Sequence, residues 1–510
     1  MDFTPLDVKS SYSLLKSPTR ISDLVTTAKE RGYKALALTD ENVLYGAVEF
    51  YNAAKKAGIK PIFGLRLVVA LNETDGTKLD LVFLAKNQRG YQHLMDLSTL
   101  QQTRKDKKAP LTVAQISPLL NELFIIIPPQ STVFSVLAQP TSILTELANL
   151  GDDDSVLLGV NSRLDDVQID TLQQLSKQLS LPLVGTSPVD YLNANDLFAS
   201  RVLQAIDAGV ELKDPTIEAE RRGQHYLHSK EQVIQDYKAK GLSAAAQKTV
   251  EVATLCNVEL QFRAPVLPHF KNQAGISSQQ YLRSLCIQGL KKRRVAPGKT
   301  IQQYQERLAM ELKIIHEMGF DDYFLIVWDV INFAHQQKIT TDPGRGSAAG
   351  SLVAYALAIT EVDPLQYDLL FERFLNPERA QMPDIDLDIP DNRRDEVLQY
   401  VHQKYGHQRV AQIITFGTLA AKQVVRDVSR VFNLPRYDMQ RLIDALPHGL
   451  HVTLKDALNE SQQLKNLLDD NPKFRLLIQV AQQLEGLPRH YSIHAAGIVL
   501  SEQPLHEVVP

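Results

Sequence analysis

Residues Met382 to Ile389 read Met-Pro-Asp-Ile-Asp-Leu-Asp-Ile, a strict alternation of acidic and apolar side chains. An extended chain sends successive side chains to opposite faces. The run therefore predicts a strand with Asp384, Asp386 and Asp388 on one face and Ile385, Leu387 and Ile389 on the other. Three like charges on one face repel and favour no fold by themselves. Carboxylates two residues apart on a strand stand roughly 6.6 Å apart. At that spacing Asp384 and Asp386 straddle a pair of divalent ions about 3.5–4 Å apart, which relieves the repulsion. The plainer reading of such a run is a solvated edge strand.

A second feature lies just upstream: Asp342-Pro-Gly-Arg-Gly-Ser-Ala-Ala-Gly350, leading into a run from Ala348 to Ile359 with the composition of a helix. A glycine-serine turn lets backbone N–H groups of Gly346 and Ser347 point at one anion, and a helix N-terminus adds partial positive charge. Arg345 supplies a mobile cation beside them. The plainer reading is an ordinary tight turn. A phosphate cradle and a metal-binding acidic strand, both within Thr341–Ile389, are the equipment for in-line phosphoryl or nucleotidyl transfer.

Four ungapped blocks resemble the bacterial replicative DNA polymerase III alpha subunits, the C-family polymerases. They are Pro343 to Leu357, Leu370-Phe-Glu-Arg-Phe-Leu-Asn-Pro-Glu-Arg379, Pro383-Asp-Ile-Asp-Leu-Asp388 and Ile413-Ile-Thr-Phe-Gly-Thr418. The resemblance implies a palm related to the polymerase-beta-like nucleotidyltransferases, with Asp384 and Asp386 as catalytic, metal-binding residues. Arg345, Gly346 and Ser347 then hold the triphosphate. It implies template-directed addition of dNTPs to a primer 3′-hydroxyl in chromosomal replication, with two Mg²⁺ ions. Primer–template DNA, the sliding clamp and other replisome subunits become expected partners. In the family a third carboxylate lies on a Phe-Asp-Phe-Leu-Gly-type strand. Its place falls beyond Pro510, as do the fingers and the clamp-binding region, so residues 1–510 alone are expected to be inactive.

With 510 residues, several domains are expected. No apolar run is long enough to span a membrane, and the opening Met1-Asp-Phe-Thr-Pro5 lacks a signal-peptide pattern. Two cysteines, Cys256 and Cys286, cannot build a disulfide framework, which suits a reducing compartment and makes cytoplasm the expected location. A net charge of −4 does not advertise nucleic-acid binding, so local cations decide. Of two basic runs, Arg104–Lys108 reads as a solvated loop, while Lys291–Arg294 is a candidate DNA-backbone contact.

The expected fold is multidomain α/β. Residues 1–262 alternate strand and helix patterns, with Ala35–Thr39, Lys60–Gly64 and Leu79–Ala85 as strands and Gly32 and Gly58 at helix ends. By resemblance this is a polymerase-and-histidinol-phosphatase (PHP) domain, a distorted barrel of parallel strands and helices that holds metals in many relatives. Here the family's ligand positions fall on Pro5, Lys9, Arg66, Asp80, Gly159 and Asp190, with Asp40 retained. His93 is the only histidine before His225, so a metal-free domain with a packing role is expected. A PHP phosphoesterase or 3′–5′ exonuclease is the competing reading, and a non-catalytic scaffold a third.

Phe262–Phe270, with two prolines, reads as a linker. By resemblance residues 263–415 are the first part of the palm; within them Tyr304, Leu308, Leu312 and Ile315 mark a buried helical stripe and Trp328 a core aromatic. By resemblance residues 416–494 are a helical thumb. Lys422, Arg426 and Arg430 recur every fourth residue and form one basic stripe for DNA or phosphate, unless Asp427 and its neighbours pair with it. Arg489 and His490 are further candidate DNA contacts. Residues 495–510 begin a returning palm segment.

Overall fold

Ala35–Leu38 (β1), Lys60–Ala70 (β2), Lys78–Ala85 (β3), Leu111–Thr112 (β4), Leu123–Ile127 (β5), Val156–Val160 (β6) and Leu183–Gly185 (β7) form one sheet. The computed structural model describes residues 2–509 apart from 72–77, 108, 132–139, 149–150, 153, 263–266, 380–381 and 450–451. Part of the expected linker, 263–266, therefore lies outside the described residues. The strand order is β1-β2-β3-β5-β6-β7, with β4 beside the end of β2. β3 runs antiparallel to both β2 and β5, whereas β1 pairs with β2, β5 with β6 and β6 with β7 in parallel. This departs from the parallel barrel expected. The connection between Ala70 and Lys78 is too short for the crossover of a dozen or more residues that a parallel pair needs.

The sheet's two ends are tied by the N-terminal segment. Ala37 and Thr39 N–H donate to Pro5 and Val8 carbonyls at 3.0 and 2.8 Å, and Val189 N–H donates to Asp7 carbonyl at 2.9 Å. β5 and β6 are buried on both faces, as apolar runs under helices should be. Helices such as Ala47–Ala57, closed by Gly58 at φ +75°, cover the outside. A buried core including Phe3, Leu24, Phe50, Phe63 and Leu158 fills the layers between.

The chain forms two compact units: 1–261 with 414–493 and 506–510, and 262–413 with 494–505. In the first, a separate core joins Phe198, Val202 and Leu203 of the helix Leu197–Ala208 to Val424, Val428 and Phe432, and to Leu477 and Ala481 of Pro472–Leu484. The rings of Phe198 and Phe432 meet edge-on at 6.0 Å. Val410–Thr418 (β8) and Pro488–Leu500 (β9) pair as a two-stranded ribbon.

In the second unit the helices Ser278–Leu290, Ile301–Glu317 and Asp321–Gln336 pack around the short helix Leu352–Ala356. Half-buried Trp328 meets the rings of Phe270 and Tyr281, a packing role. Asp329 is buried and accepts hydrogen bonds from Tyr400 (2.8 Å), Lys404 (2.5 Å) and Tyr405 (3.0 Å), fixing the helix Arg394–Tyr405. The expected stripe of Ile301–Glu317 is corrected at one place: the fully buried residue is Glu311, and Leu312 is only partly buried.

Phe432 is 1% exposed. Phe432→Ala is expected to cost about 3–5 kcal/mol, read as a lower urea midpoint with an unchanged denaturant slope.

Candidate functional site

The stretch from Asp342 to Gly350 passes twice through the left-handed region, at Gly344 (φ +105°) and Gly346 (φ +62°). A Cβ on Gly344 would stand 2.7 Å from Thr360 Cγ2, whereas nothing crowds Gly346, whose glycine serves conformation alone. Gly346–Gly350 forms a 3-10 turn, Ser351 is extended, and a helix runs only from Leu352 to Ala356. This corrects the helix expected over Ala348–Ile359, and with it the idea that its N-terminus is open to a phosphate. The first amides of that helix are already taken. Leu352 and Val353 N–H donate to the Glu311 carboxylate at 2.9 and 3.0 Å, and Ala354 N–H donates to Ser351 Oγ at 3.1 Å. What faces solvent is the turn itself: Arg345, Gly346 and Ser347 are exposed, and the amides of Gly346 and Ser347 have no acceptor among the described residues.

The acidic run joins no β-ladder, so the expected strand is corrected to an unpaired segment. The alternation of faces holds. Asp384, Asp386 and Asp388 are exposed, while Ile385, Leu387 and Ile389 are half-buried against the core of this unit. Packing of the apolar face, not sheet pairing, decides which way the acids point. Arg345 answers their charge: its Nη1 donates to Asp386 at 2.6 Å and its Nε to Asp388 at 2.8 Å. These hydrogen bonds hold the Asp388 carboxyl below the usual carboxylate range. Asp384 has no hydrogen-bond or ion-pair partner among the described residues. The Tyr323 hydroxyl faces the Ile385 backbone, and burial together with the charges of Asp384 and Asp386 pushes it up to about 12. Among the described residues no three acidic, histidine or cysteine side chains converge to hold a metal.

A cleft of about 740 Å³ opens beside the turn, its lining including Gly346, Ser347, Gly350 and Arg373 together with the acids Asp368 and Glu372. Arg373 was not singled out from the sequence. The signal was its place between Phe371 and Phe374, both buried, which leaves the arginine on the open side. It is exposed and has no ion-pair partner among the described residues.

The other expected contacts divide. Lys422 and Arg426 lie on the helix Ala421–Val431 and have no partner among the described residues. Arg430 and Arg489 both pair with Asp427, which is buried; the Arg489 contact is 2.9 Å. His490 lies over Gly417, where a Cβ would stand 2.4 Å from its ring. These five residues belong to the first unit, and the turn and acidic segment to the second. Of the basic run Lys291–Arg294, Arg293 is occupied internally: it donates to the carbonyls of Tyr355 (3.0 Å) and Thr360 (3.1 Å) and pairs with Glu361.

In the barrel, the positions that the resemblance assigns to metal ligands hold ion pairs instead. Arg66, 7% exposed, donates twice to Asp7 at 2.7 and 2.9 Å and also pairs with Asp80. Lys9 bridges Glu41 (2.8 Å) and Asp190 (3.2 Å), and His225 Nδ1 meets Asp190 at 2.9 Å. Asp40 is satisfied by the Ser10 amide at 2.7 Å and the Ser13 hydroxyl at 2.6 Å. A Cβ on Gly159 would stand 2.9 Å from the Ile127 carbonyl, which leaves no room for a glutamate. Such a donor set does not suit a divalent ion, because two fixed cations already neutralise its carboxylates.

Two outcomes are expected. Arg66→Ala leaves Asp7, 2% exposed, uncompensated and should cost about 3–5 kcal/mol in a denaturation titration. Burial works to raise the Asp190 carboxyl, but the His225 hydrogen bond and the Lys9 charge outweigh it and bring it from 3.8 down to about 2. A carboxyl depressed in the folded state stabilises fully above its unfolded value, and that stability is lost as pH falls through the folded one. Wild type should therefore lose about 2 kcal/mol between roughly pH 4 and pH 2 that Asp190→Asn does not lose.

Residues 280–510 match the bacterial DNA polymerase III alpha NTPase domain, and residues 5–128 match the PHP domain. The DNA polymerase III subunit alpha of Halalkalibacterium halodurans is 42% identical over 100% of this chain and 45% of its own length. That of Bacillus subtilis is 41% identical over 100% of this chain and 46% of its own, and that of Borreliella burgdorferi 38% over 100% and 45%. The chain thus spans less than half the length of these relatives. An amidohydrolase from Chromobacterium violaceum of known structure aligns over 37% of this chain and 87% of its own at 12% identity, with a TM-score of 0.27, too low to bear on fold or function. No helix among the described residues is long and apolar enough to cross a membrane. With a PHP domain, a polymerase III alpha domain and these relatives along its whole length, the chain belongs to the bacterial DNA polymerase III alpha family.

Proposed function

We propose that residues 341–389 bind the phosphates of an incoming dNTP and the Mg²⁺ ions of a template-directed DNA polymerase. One observation carries this: the Arg345 guanidinium, next to the Gly346–Ser347 turn, reaches Asp386 and Asp388, so that the anion-binding turn and the acids share one site. Two of the carboxylates already hold a cation and the third, Asp384, is open, which fits a site for divalent ions. Asp384 and Asp386 would be the Mg²⁺ ligands from this stretch. When bound, the two ions supply the positive charge that favours ionisation of the primer 3′-hydroxyl and departure of pyrophosphate.

The protein groups bind and orient. Gly346 and Ser347 offer amides and a hydroxyl to phosphate oxygens, and the triphosphate competes with Asp386 and Asp388 for Arg345. Arg373 presents a second cation across the cleft. Lys422 and Arg426 are the cations of their helix left available for DNA phosphates, since Asp427 occupies Arg430 and Arg489. Template pairing selects the base. For residues 1–262 the proposed role is structural, because Lys9 and Arg66 fill the acidic site. Primer–template DNA, dNTPs and replisome subunits are the proposed partners of the longer polymerase.

In a polymerase that includes the third carboxylate, Asp386→Asn is expected to lower primer extension by about 10³-fold, with the Kd for primer–template within about twofold. Unchanged extension, or loss of synthesis only together with folding, would overturn the assignment. Residues 1–510 alone are expected to extend no primer; incorporation abolished by Asp384→Asn would refute that.

A further inference from the structure

Behind the turn, and touching neither the acids nor solvent-facing amides, lies a second charged pair. Arg307 and Glu311 sit one turn apart on the helix Ile301–Glu317, with Arg307 Nε donating to Glu311 Oε1 at 2.7 Å. Glu311 is 0% exposed, a place on the helix otherwise taken by Tyr304, Leu308 and Ile315. A carboxylate there is strongly destabilising unless its oxygens are filled. They are filled: Ser351 Oγ and Val353 N–H donate to Oε2, both at 3.0 Å, and Leu352 N–H donates to Oε1 at 2.9 Å.

Arg307 completes the arrangement. Its Nη2 donates to the carbonyl of Gly350 at 2.9 Å and to that of Leu369 at 3.1 Å. Gly350 ends the glycine-serine turn, and Leu369 begins the wall that carries Leu370 and Arg373. Both residues line the cleft. One guanidinium thus spans the two walls at the cleft's base. The two walls also approach closely here, since a Cβ on Gly350 would stand 2.8 Å from the Leu370 carbonyl. The walls cannot spread without breaking the fork.

We propose that Arg307 and Glu311 are positioning residues that set the width of this cleft and so its grip on a triphosphate. The inference rests on the reading of the cleft given above. Neither side chain contacts the ligand; they act through the backbone of Gly350–Val353 and Leu369.

The test is binding of inorganic tripolyphosphate with Mg²⁺ to the 510-residue chain by calorimetry, beside the melting temperature. Arg307→Lys keeps the charge but cannot reach Glu311 and both carbonyls, and should weaken binding about tenfold, the loss of one charge-assisted hydrogen bond. Arg293→Lys is the comparison, because Arg293 holds the far end of the helix Leu352–Ala356, through the Tyr355 carbonyl, and does not line the cleft. It should lower the melting temperature comparably and leave binding within about twofold. Glu311→Gln, of equal size, should act in the same direction as Arg307→Lys and serves if the latter does not fold. In the full-length polymerase, Arg307→Lys should raise the KM for dNTP about tenfold with kcat within about twofold. Equal binding by wild type and Arg307→Lys overturns the positioning role, as does a loss in both arginine variants that tracks melting temperature. If wild type binds no tripolyphosphate, the phosphate-cradle reading itself fails and this inference with it.

Discussion

Carboxylates gathered on one side of a chain must be given a cation, and this protein does so in two places with arginine. Arg345 bridges Asp386 and Asp388, while Arg66, assisted by Lys9, joins Asp7 and Asp80. The contacts are similar, and burial makes their consequences different. Arg66 is sealed from water, where charges attract strongly and breaking the pair strands a buried ion. Arg345 is exposed, its attraction is screened, and the exchange of one cation for another costs little. The first arrangement is a permanent part of the barrel. On the function proposed above, the second is a placeholder that a metal ion and a phosphate chain would replace together.

A related device, a buried acid on a helix, recurs where separate segments must be held. Glu311 collects the amides that begin the helix at Leu352, Asp329 collects two tyrosines and a lysine from Arg394–Tyr405, and Asp427 collects Arg430 and Arg489. Each trades the uniform fit of an apolar core for a directional one. Directional contacts suit the surroundings of a site, where small displacements of the backbone alter what a ligand meets.

Much of this was legible from residue order, and the failures are instructive. The alternation in Met382–Ile389 does set the faces of the acidic segment, because Ile385, Leu387 and Ile389 have a core to pack against. It says nothing about pairing, which depends on whether a neighbouring strand exists. The helix expected from Ala348 is shortened to Leu352–Ala356 because tertiary hydrogen bonds outweigh propensity there. Glu311 was readable in principle: Tyr304, Leu308, Glu311 and Ile315 share one helical face, and an acid in that row announces a buried partner. The antiparallel turn at β3 was hidden by local patterns that do not encode strand direction. Ion pairs of Arg430 and Arg489 with Asp427 were visible only as a possibility, since the sequence gives spacing and not distance.

The core shared by Phe198–Ala205 and Leu419–Leu487 has a temporal side. Its first contributors leave the ribosome roughly two hundred residues before their partners, which at about 5–20 residues per second is an interval on the order of 10–40 s. At equilibrium the long separation matters little, since closing a loop grows only logarithmically dearer with length. During synthesis, however, the apolar side of Leu197–Ala208 stays bare after the barrel strands before it have emerged. A nascent chain of this kind presents a greasy helix to its surroundings for many seconds, and that helix is where a trigger for misassembly, or a handhold for a chaperone, would first appear.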